Sequence, residues 1–280
     1  MITYNEFSIN PNGPVEQRFL CPVCSKFHGS KNKTVSFNIV KGCGVCFRCG
    51  WNGKIDSTAY TIPTEKPKTT FDRHRNLKRT LSASENVKPK TPVYRYLSHR
   101  LGCDLVSIPK CLRYIPSLNY YDDDRKLVGA FPAMLAIISN PKGEPVSLHR
   151  TYLTSDGKKA NVPTPKKLMS PIRNGAMRGG AIRLFEATNQ IAIAEGIETA
   201  LAVYVATGIP AWSTVSASMM KSLVVPSKTE TILIFADNDE NQTGQNAANF
   251  LANRLCKKGH SVKVMIPDSV GDWLNIWEAK

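Results

Sequence analysis

The sequence predicts an α/β C-terminal domain, a parallel sheet flanked by helices, preceded by an α+β subdomain and, at the N-terminal end, a small β unit stapled by cysteines. Three observations carry this. After Gln190, apolar runs of strand length alternate with helical stretches, the pattern of a parallel sheet covered on both faces. Between Val93 and Glu186 one helical pattern is followed by strand-like runs broken at Gly, Pro and Asp. Five of the eight cysteines lie between Cys21 and Cys49.

In chain order, residues 1–54 read as the cysteine unit, with a short β run from Thr34 to Val40. Residues 55–92 turn to Ser, Thr, Pro and Lys with few large apolar side chains, so they lack the makings of a core and read as a basic flexible linker. Part of this stretch suits a helix that orders on DNA. Residues 93–188 form the α+β subdomain: a helix begins near Tyr94, and LVGAFPAMLAII and VSLHRTYL are strands. Residues 189–280 are the α/β domain: strand IAIAE, helix IETALAVYVATG closed by Gly208, strand PAWSTV, and a short helix through Met219 and Met220. Strand TILIFAD, a helix closed by Gly259 and strand SVKVMIP complete it.

Charge divides the chain. Residues 1–180 hold 29 Lys and Arg against 12 Asp and Glu, whereas residues 181–280 hold 8 against 10. The basic part attracts a polyanion, and a nucleic-acid backbone would bind it by counterion release. No basic amphipathic helix or long apolar run supports a membrane partner. The N-terminus lacks a basic segment followed by an apolar one, so a cytosolic protein with reduced cysteines is expected. The isolated Cys103, Cys111 and Cys256 read as packing residues.

Cys21-Pro-Val-Cys24 and Cys46-Phe-Arg-Cys49 are paired C-x2-C knuckles, a spacing that closes a tetrahedral thiolate shell around one structural Zn²⁺. This makes the N-terminal unit a zinc ribbon. Cys43-Gly-Val-Cys46 is a competing knuckle and His28 a further candidate ligand; the turn from Phe47 to Gly53 favours Cys46 and Cys49. A closed four-thiolate shell leaves no open position, so catalysis lies elsewhere. Lys31, Lys33, Lys41, Arg48, Trp51 and Phe37 offer charge and stacking faces for single-stranded DNA.

Glu195 ends one strand of the α/β domain, and Asp237 and Asp239 end another. In a doubly wound sheet such groups meet in one crevice at the carboxyl ends of the strands. Gathered acids repel unless a cation neutralises them, and hard oxygen ligands select Mg²⁺ or Mn²⁺, two of which serve phosphoryl transfer. Asp272, after the next strand, is placed to join them, and Glu198, one turn beyond Glu195, to support it or to hold a metal through water.

Together Ala194-Glu195-Gly196-Ile197-Glu198-Thr199-Ala200, Phe235-Ala236-Asp237-Asn238-Asp239 and Gly271-Asp272-Trp273 resemble the Toprim domain of phage and plasmid DNA primases. Leu148-His149-Arg150-Thr151-Tyr152-Leu153 and Asp156-Gly157-Lys158-Lys159-Ala160 resemble the segment before it, and CPVC with CFRCGWNG resembles the zinc module of the same enzymes. The resemblance implies a nucleotidyltransferase that makes short RNA primers on single-stranded DNA from ribonucleoside triphosphates, in a bacterial cytoplasm or a phage-infected cell. It implies that the zinc module engages template, that Glu195 manages protons at the attacking 3′-hydroxyl, and that Asp237 and Asp239 bind Mg²⁺. Arg150, Lys159, Lys167, Arg173 and Arg178 become candidates for triphosphate or template phosphate. Asn275 stands where the family ends its last motif with an acid, and no P-loop follows, so a replicative helicase would be a separate partner. Two other readings compete: a Toprim-type metal-dependent DNA nuclease and a non-catalytic DNA-binding replication factor. A topoisomerase needs a tyrosine domain for which the chain has no room.

Overall fold

The computed structural model describes residue 9 and residues 15–25, 33–54, 70–271 and 273–274. The chain forms two compact units, Met1–Lys68 and Thr69–Lys280. No described helix is long and apolar enough to cross a membrane.

The first unit is a four-stranded antiparallel sheet of β1 (Glu16–Phe19), β2 (Val35–Asn38), β3 (Cys43–Cys46) and β4 (Asn52–Lys54), in that order. Its core is small: Ile9, Val35, Phe37 and Ile39 pack with Cys21, Cys24 and Cys46, and Phe19 and Trp51 lean on the edge. So few apolar groups do not by themselves repay chain ordering, and a unit of this size depends on a staple. Phe37 is a core residue and not the stacking face anticipated for it. The exposed ring is Phe47, with the Arg18 guanidinium 4.8 Å from its centroid.

The second unit opens with α1 (Thr70–Ser82), inside the stretch read as a linker. Leu77 is buried there and Leu81 packs beside it, on a sheet face carrying Ile115, Tyr120, Leu135, Leu148 and Tyr152. Two leucines four residues apart anchor a helix that is otherwise polar, a weak signal in a basic sequence. Residues 55–69 lie outside the described residues.

Next come β5 (Glu85–Asn86) and α2 (Pro92–Leu101), the latter capped by the Thr91 hydroxyl accepting from the Tyr94 N–H and closed by Gly102 at φ 65°. Strands β6 (Leu112–Tyr121), β7 (Leu127–Ser139), β8 (Pro145–Tyr152) and β9 (Lys166–Leu168) follow, and β5 to β9 form one antiparallel meander in sequence order.

The α/β part comprises β10 (Ile182–Arg183), β11 (Gln190–Ala194), α3 (Ile197–Thr207), β12 (Ala211–Ser213), α4 (Ala217–Ser222), β13 (Thr231–Phe235), α5 (Thr243–Cys256) and β14 (Ser261–Met265). Its sheet order is β10-β12-β11-β13-β14, parallel except for β10. Successive β11 residues serve opposite layers: Ile191 and Ile193 pack with Leu251 and Leu255 of α5, while Ala192 and Ala194 face Leu201 of α3. Burial on both sides explains the unbroken apolar run. Gly208 ends α3 at φ 71°, whereas α5 stops at Cys256, three residues before Gly259. Of the isolated cysteines, Cys111 is partly buried and pushed up to about 12 by burial, and Cys256 is exposed, not packed.

One core joins the meander to the parallel sheet, drawing Val93, Tyr96 and Leu97 from α2, Met134 and Ile138 from β7, and Ala194, Ile197 and Leu201. Set in it is a polar clamp. Glu198, 4% exposed in the first turn of α3, accepts the Tyr96 hydroxyl at 2.5 Å and pairs with Lys166 of β9 at 2.8 Å. Burial works to raise the Glu198 pKa, but the Lys166 ammonium and the Tyr96 hydroxyl outweigh it and hold the carboxyl down to about 2. Burial, reinforced by the Glu198 charge, pushes the Tyr96 phenol upward, so it keeps the proton it donates. The three elements that meet here fix the helix that starts directly after Glu195.

Tyr96→Phe should therefore cost about 1.5–3 kcal/mol at neutral pH, as for a lost hydrogen bond to a charged group, measured by urea unfolding. The folded pKa of Glu198 lies below the unfolded value of about 4.3, so its contribution is complete above that value and fades as pH falls toward 2. The difference between wild type and variant should shrink over the same window.

Candidate active site and four-cysteine centre

Strands β11 and β13 run parallel with Ala194 opposite Phe235, so both chains leave the sheet at one level. Glu195 is the first residue beyond β11; Asp237 is the second beyond β13. The Glu195 carbonyl is pinned by the Ser213 hydroxyl at 2.6 Å and the Val215 N–H at 2.9 Å. Val215 takes φ 64° on the way, a left-handed conformation that costs a β-branched residue on the order of 1–3 kcal/mol. Strain of that size beside an acid marks a place where backbone position matters more than local comfort.

The Asp237-Asn238-Asp239 turn is held from three sides. Asn238 exchanges backbone hydrogen bonds with Gly271, its amide donates to the Pro267 carbonyl, and Gln245 donates to its side-chain oxygen. The Trp273 indole donates to the Ala236 carbonyl at 3.0 Å. Asp239 Oδ2 accepts the Gly244 N–H at 3.1 Å in the first turn of α5, where the helix end favours negative charge. A Cβ on Gly244 would lie 3.1 Å from both that oxygen and the Asp237 carbonyl, so glycine permits the approach. Asp272 lies outside the described residues, but Gly271 and Trp273 on either side of it are both bonded to this turn.

Burial first, and then the charges of Asp237 and Asp239, push the Glu195 carboxyl up to about 7. Such a group is divided between acid and carboxylate at neutral pH, which suits proton transfer. Glu198 is engaged by Tyr96 and Lys166 and so takes part in the clamp described above.

The basic candidates are dispersed. Lys167 and Arg150 pair across β8 and β9 and share the sheet face of Tyr120 and Tyr152: Lys167 donates to the Tyr121 carbonyl and pairs with Asp123, and Arg150 donates to the Leu168 carbonyl. Lys166, opposite Thr151, takes the other face and reaches α3. Lys159 bridges back to Leu153 in an exposed turn, and Arg173 and Arg178 are both exposed in the loops before β10. Sequence reading missed Lys166 because adjacent lysines point to opposite faces, and only the register tells which faces the acids.

In the first unit the sulfurs of Cys21, Cys24, Cys46 and Cys49 lie within 4.8 Å of one another. Among the described residues no other group of three or more Cys, His, Asp or Glu side chains has its ligand atoms that close together, and Glu195, Asp237 and Asp239 are not such a group. Alternation along β3 puts Cys46 on the face of Gly44 and Cys43 on the opposite one. Gly44 is required there, since a Cβ would meet the Phe37 ring at 2.6 Å. His28 lies outside the described residues. Burial would raise the Cys46 thiol, but Thr34, whose Oγ1 is 3.4 Å away, and the N–H groups of Cys49 and Arg48 prevail and lower it to about 6. Cys24 is driven up to about 12 by burial and its thiol neighbours. Four such sulfurs cannot all ionise without a cation among them. Arg48 and Trp51 are both partly buried beside this centre.

A family model for the Toprim domain matches residues 190–280, and one for a domain of unknown function (DUF7146) matches residues 72–179. No curated protein sequence matches the chain. Among solved structures, similarity extends to the zinc-binding and RNA polymerase domains of the Aquifex aeolicus primase, at 14% identity and TM-score 0.48 over 98% of this chain and 78% of that one. The primase fragment of the bacteriophage T7 primase-helicase protein gives 14% identity and TM-score 0.42 over 94% and 95%. A DNA primase domain from Pseudomonas aeruginosa gives 16% identity and TM-score 0.38 over 59% and 52%. With its parallel sheet, its strand-end acids and a family match from the first of those strands onward, the segment from residue 190 to residue 280 is a Toprim domain.

Proposed function

We propose that this chain is a DNA primase, a nucleotidyltransferase that builds short RNA primers on single-stranded DNA from ribonucleoside triphosphates. The observation that carries the reading is the placement of Glu195, Asp237 and Asp239 just beyond the ends of two adjacent parallel strands, with Glu195 pushed up to about 7 by burial and then by the two aspartates. Glu195, Asp237 and Asp239, with Asp272, would hold Mg²⁺ or Mn²⁺. Burial raises Glu195 most; the repulsion from Asp237 and Asp239 that adds to it is what a divalent ion relieves, and the carboxylate set is the hard-oxygen kind these ions prefer. When bound, two such ions supply charge neutralisation at the attacking and leaving oxygens of phosphoryl transfer. Glu195, poised near neutrality, takes the proton of the attacking 3′-hydroxyl. The hydrogen bonds to Asn238 and the pinned Glu195 carbonyl hold the acids in register, so catalysis is largely positioning.

The four-cysteine centre binds one Zn²⁺ through Cys21, Cys24, Cys46 and Cys49 and presents the ribbon to template. The low pKa of Cys46 and the N–H donor from Arg48 favour thiolate at that position. Arg18, Arg48 and the exposed Phe47 ring supply charge and a stacking surface. A replicative helicase is the expected partner.

Incubation with single-stranded DNA, ribonucleoside triphosphates and Mg²⁺ should yield short RNA, and Glu195→Gln should lower the rate by about 10²–10⁴-fold with DNA binding retained. Nicked template without RNA would instead identify a nuclease. In the absence of divalent cations, Glu195 keeps its proton to higher pH folded than unfolded, so its effect is to reduce stability as pH rises from about 4.3 through about 7. Mg²⁺ should restore that loss in the wild type above pH 7, read as a rise in melting temperature, and should do so far less in Glu195→Gln. Cys46→Ser should bind less than one zinc per chain by metal analysis and lose template-dependent synthesis; full synthesis without zinc would exclude the ribbon from the reaction.

A further inference from the structure

We propose that the outer face of α1 is a docking surface for the phosphate backbone of single-stranded nucleic acid, an inference that rests on the template-binding reading above and adds a site to it. Leu77 and Leu81 fix one side of α1 to the sheet. The opposite side presents His74, Arg75, Lys78 and Arg79, all exposed and spaced so that they form one stripe. Asp72 is the one acid of this helix, and Arg75 pairs with it at 3.4 Å. Lys78 and Arg79 have no carboxylate within ion-pair distance among the described residues.

Two local penalties make this arrangement more than a solvated face. Arg75 and Arg79 stand four residues apart and Arg75 and Lys78 three, spacings at which like charges destabilise a helix by about 0.2–0.5 kcal/mol each. Arg73 and Arg75 lie in the N-terminal half, where the helix dipole disfavours cations. A face kept only for solubility mixes its signs; a polyanion relieves both penalties at once.

The positive strip continues beyond the helix. Arg73 donates to Asn174, next to the exposed Arg173, and the sheet face under α1 is the one that bears Arg150 and Lys167. The Tyr121 ring, 46% exposed, lies with Asn119 on the opposite face of β6, so the choice of a single strand over a duplex comes from the template-binding reading above. An anionic membrane fits poorly, because the leucines that would insert are sealed against the sheet.

The test uses the full chain carrying Arg75→Ala, Lys78→Ala and Arg79→Ala together, with alanine chosen to preserve helix propensity. Binding to fluorescent oligo-dT is followed by anisotropy over a series of NaCl concentrations. Losing three phosphate contacts should lower the slope of log K against log salt by about 2, with the urea midpoint unchanged or raised. An unchanged slope and affinity would overturn the proposal. So would a variant that loses binding to phosphatidylserine vesicles while its oligo-dT slope stays intact. Primer synthesis is assayed on the same samples: a wild type that makes no RNA, with the slope still shifted in the variant, removes the primase reading and supports this one. Normal synthesis with an unshifted slope removes this one alone.

Discussion

Three carboxylates stand just beyond the ends of two adjacent parallel strands, and their charges bear on one another. The sheet brings them close by register, since Ala194 and Phe235 are opposite each other and both chains exit together. Burial first, and then the charges of the two aspartates, appear as the upward displacement of Glu195. Much of the surrounding structure resists that repulsion. The Asn238 hydrogen bonds and the helix end at Gly244 hold the D-x-D turn, while the left-handed Val215 and the Ser213 hydroxyl hold the Glu195 carbonyl. Stability is given up locally so that a charged cluster stays assembled before any ion or substrate arrives, which is the general cost of preorganisation.

The four-cysteine centre obeys the same logic with softer ligands. The four neighbouring sulfurs differ in proton affinity: burial and the adjoining thiols drive Cys24 up, while Thr34 and the Cys49 and Arg48 N–H groups hold Cys46 down against its burial. Each unit is thus arranged around an electrostatic debt, one suited to a hard dication and the other to a thiophilic one.

The α/β segment was readable in advance because its central strands are buried on both sides and α3 closes at Gly208, so periodicity and punctuation agree there, whereas α5 stops short of Gly259. The strand-end acids were readable for the same reason: a parallel sheet makes strand ends converge whatever the side chains. The meander was harder, since the long β7 alternates imperfectly and carries register shifts opposite β6. Helix α1 escaped because its two anchoring leucines sit among arginines and lysines. The choice of Cys46 over Cys43, and of Lys166 over Lys167 as the lysine that faces α3, depends on strand parity, which flips with a one-residue change of register. Phe37, anticipated as a stacking face, points into the sulfur core for that reason too.

The clamp of Tyr96, Lys166 and Glu198 bears on where this molecule can be divided. The Toprim match begins at residue 190, a boundary drawn by descent. The apolar layer does not respect it: Ala194, Ile197 and Leu201 complete a core begun by α2 and β7, and Glu198 receives both its proton donor and its counter-ion from outside the match. A fragment cut at that boundary would uncover the alanine-lined face of the sheet and release Glu198 into water. The heritable module and the cooperative folding unit are therefore different objects here, and exchange of the Toprim segment between related chains requires that residues 96 and 166 travel with it.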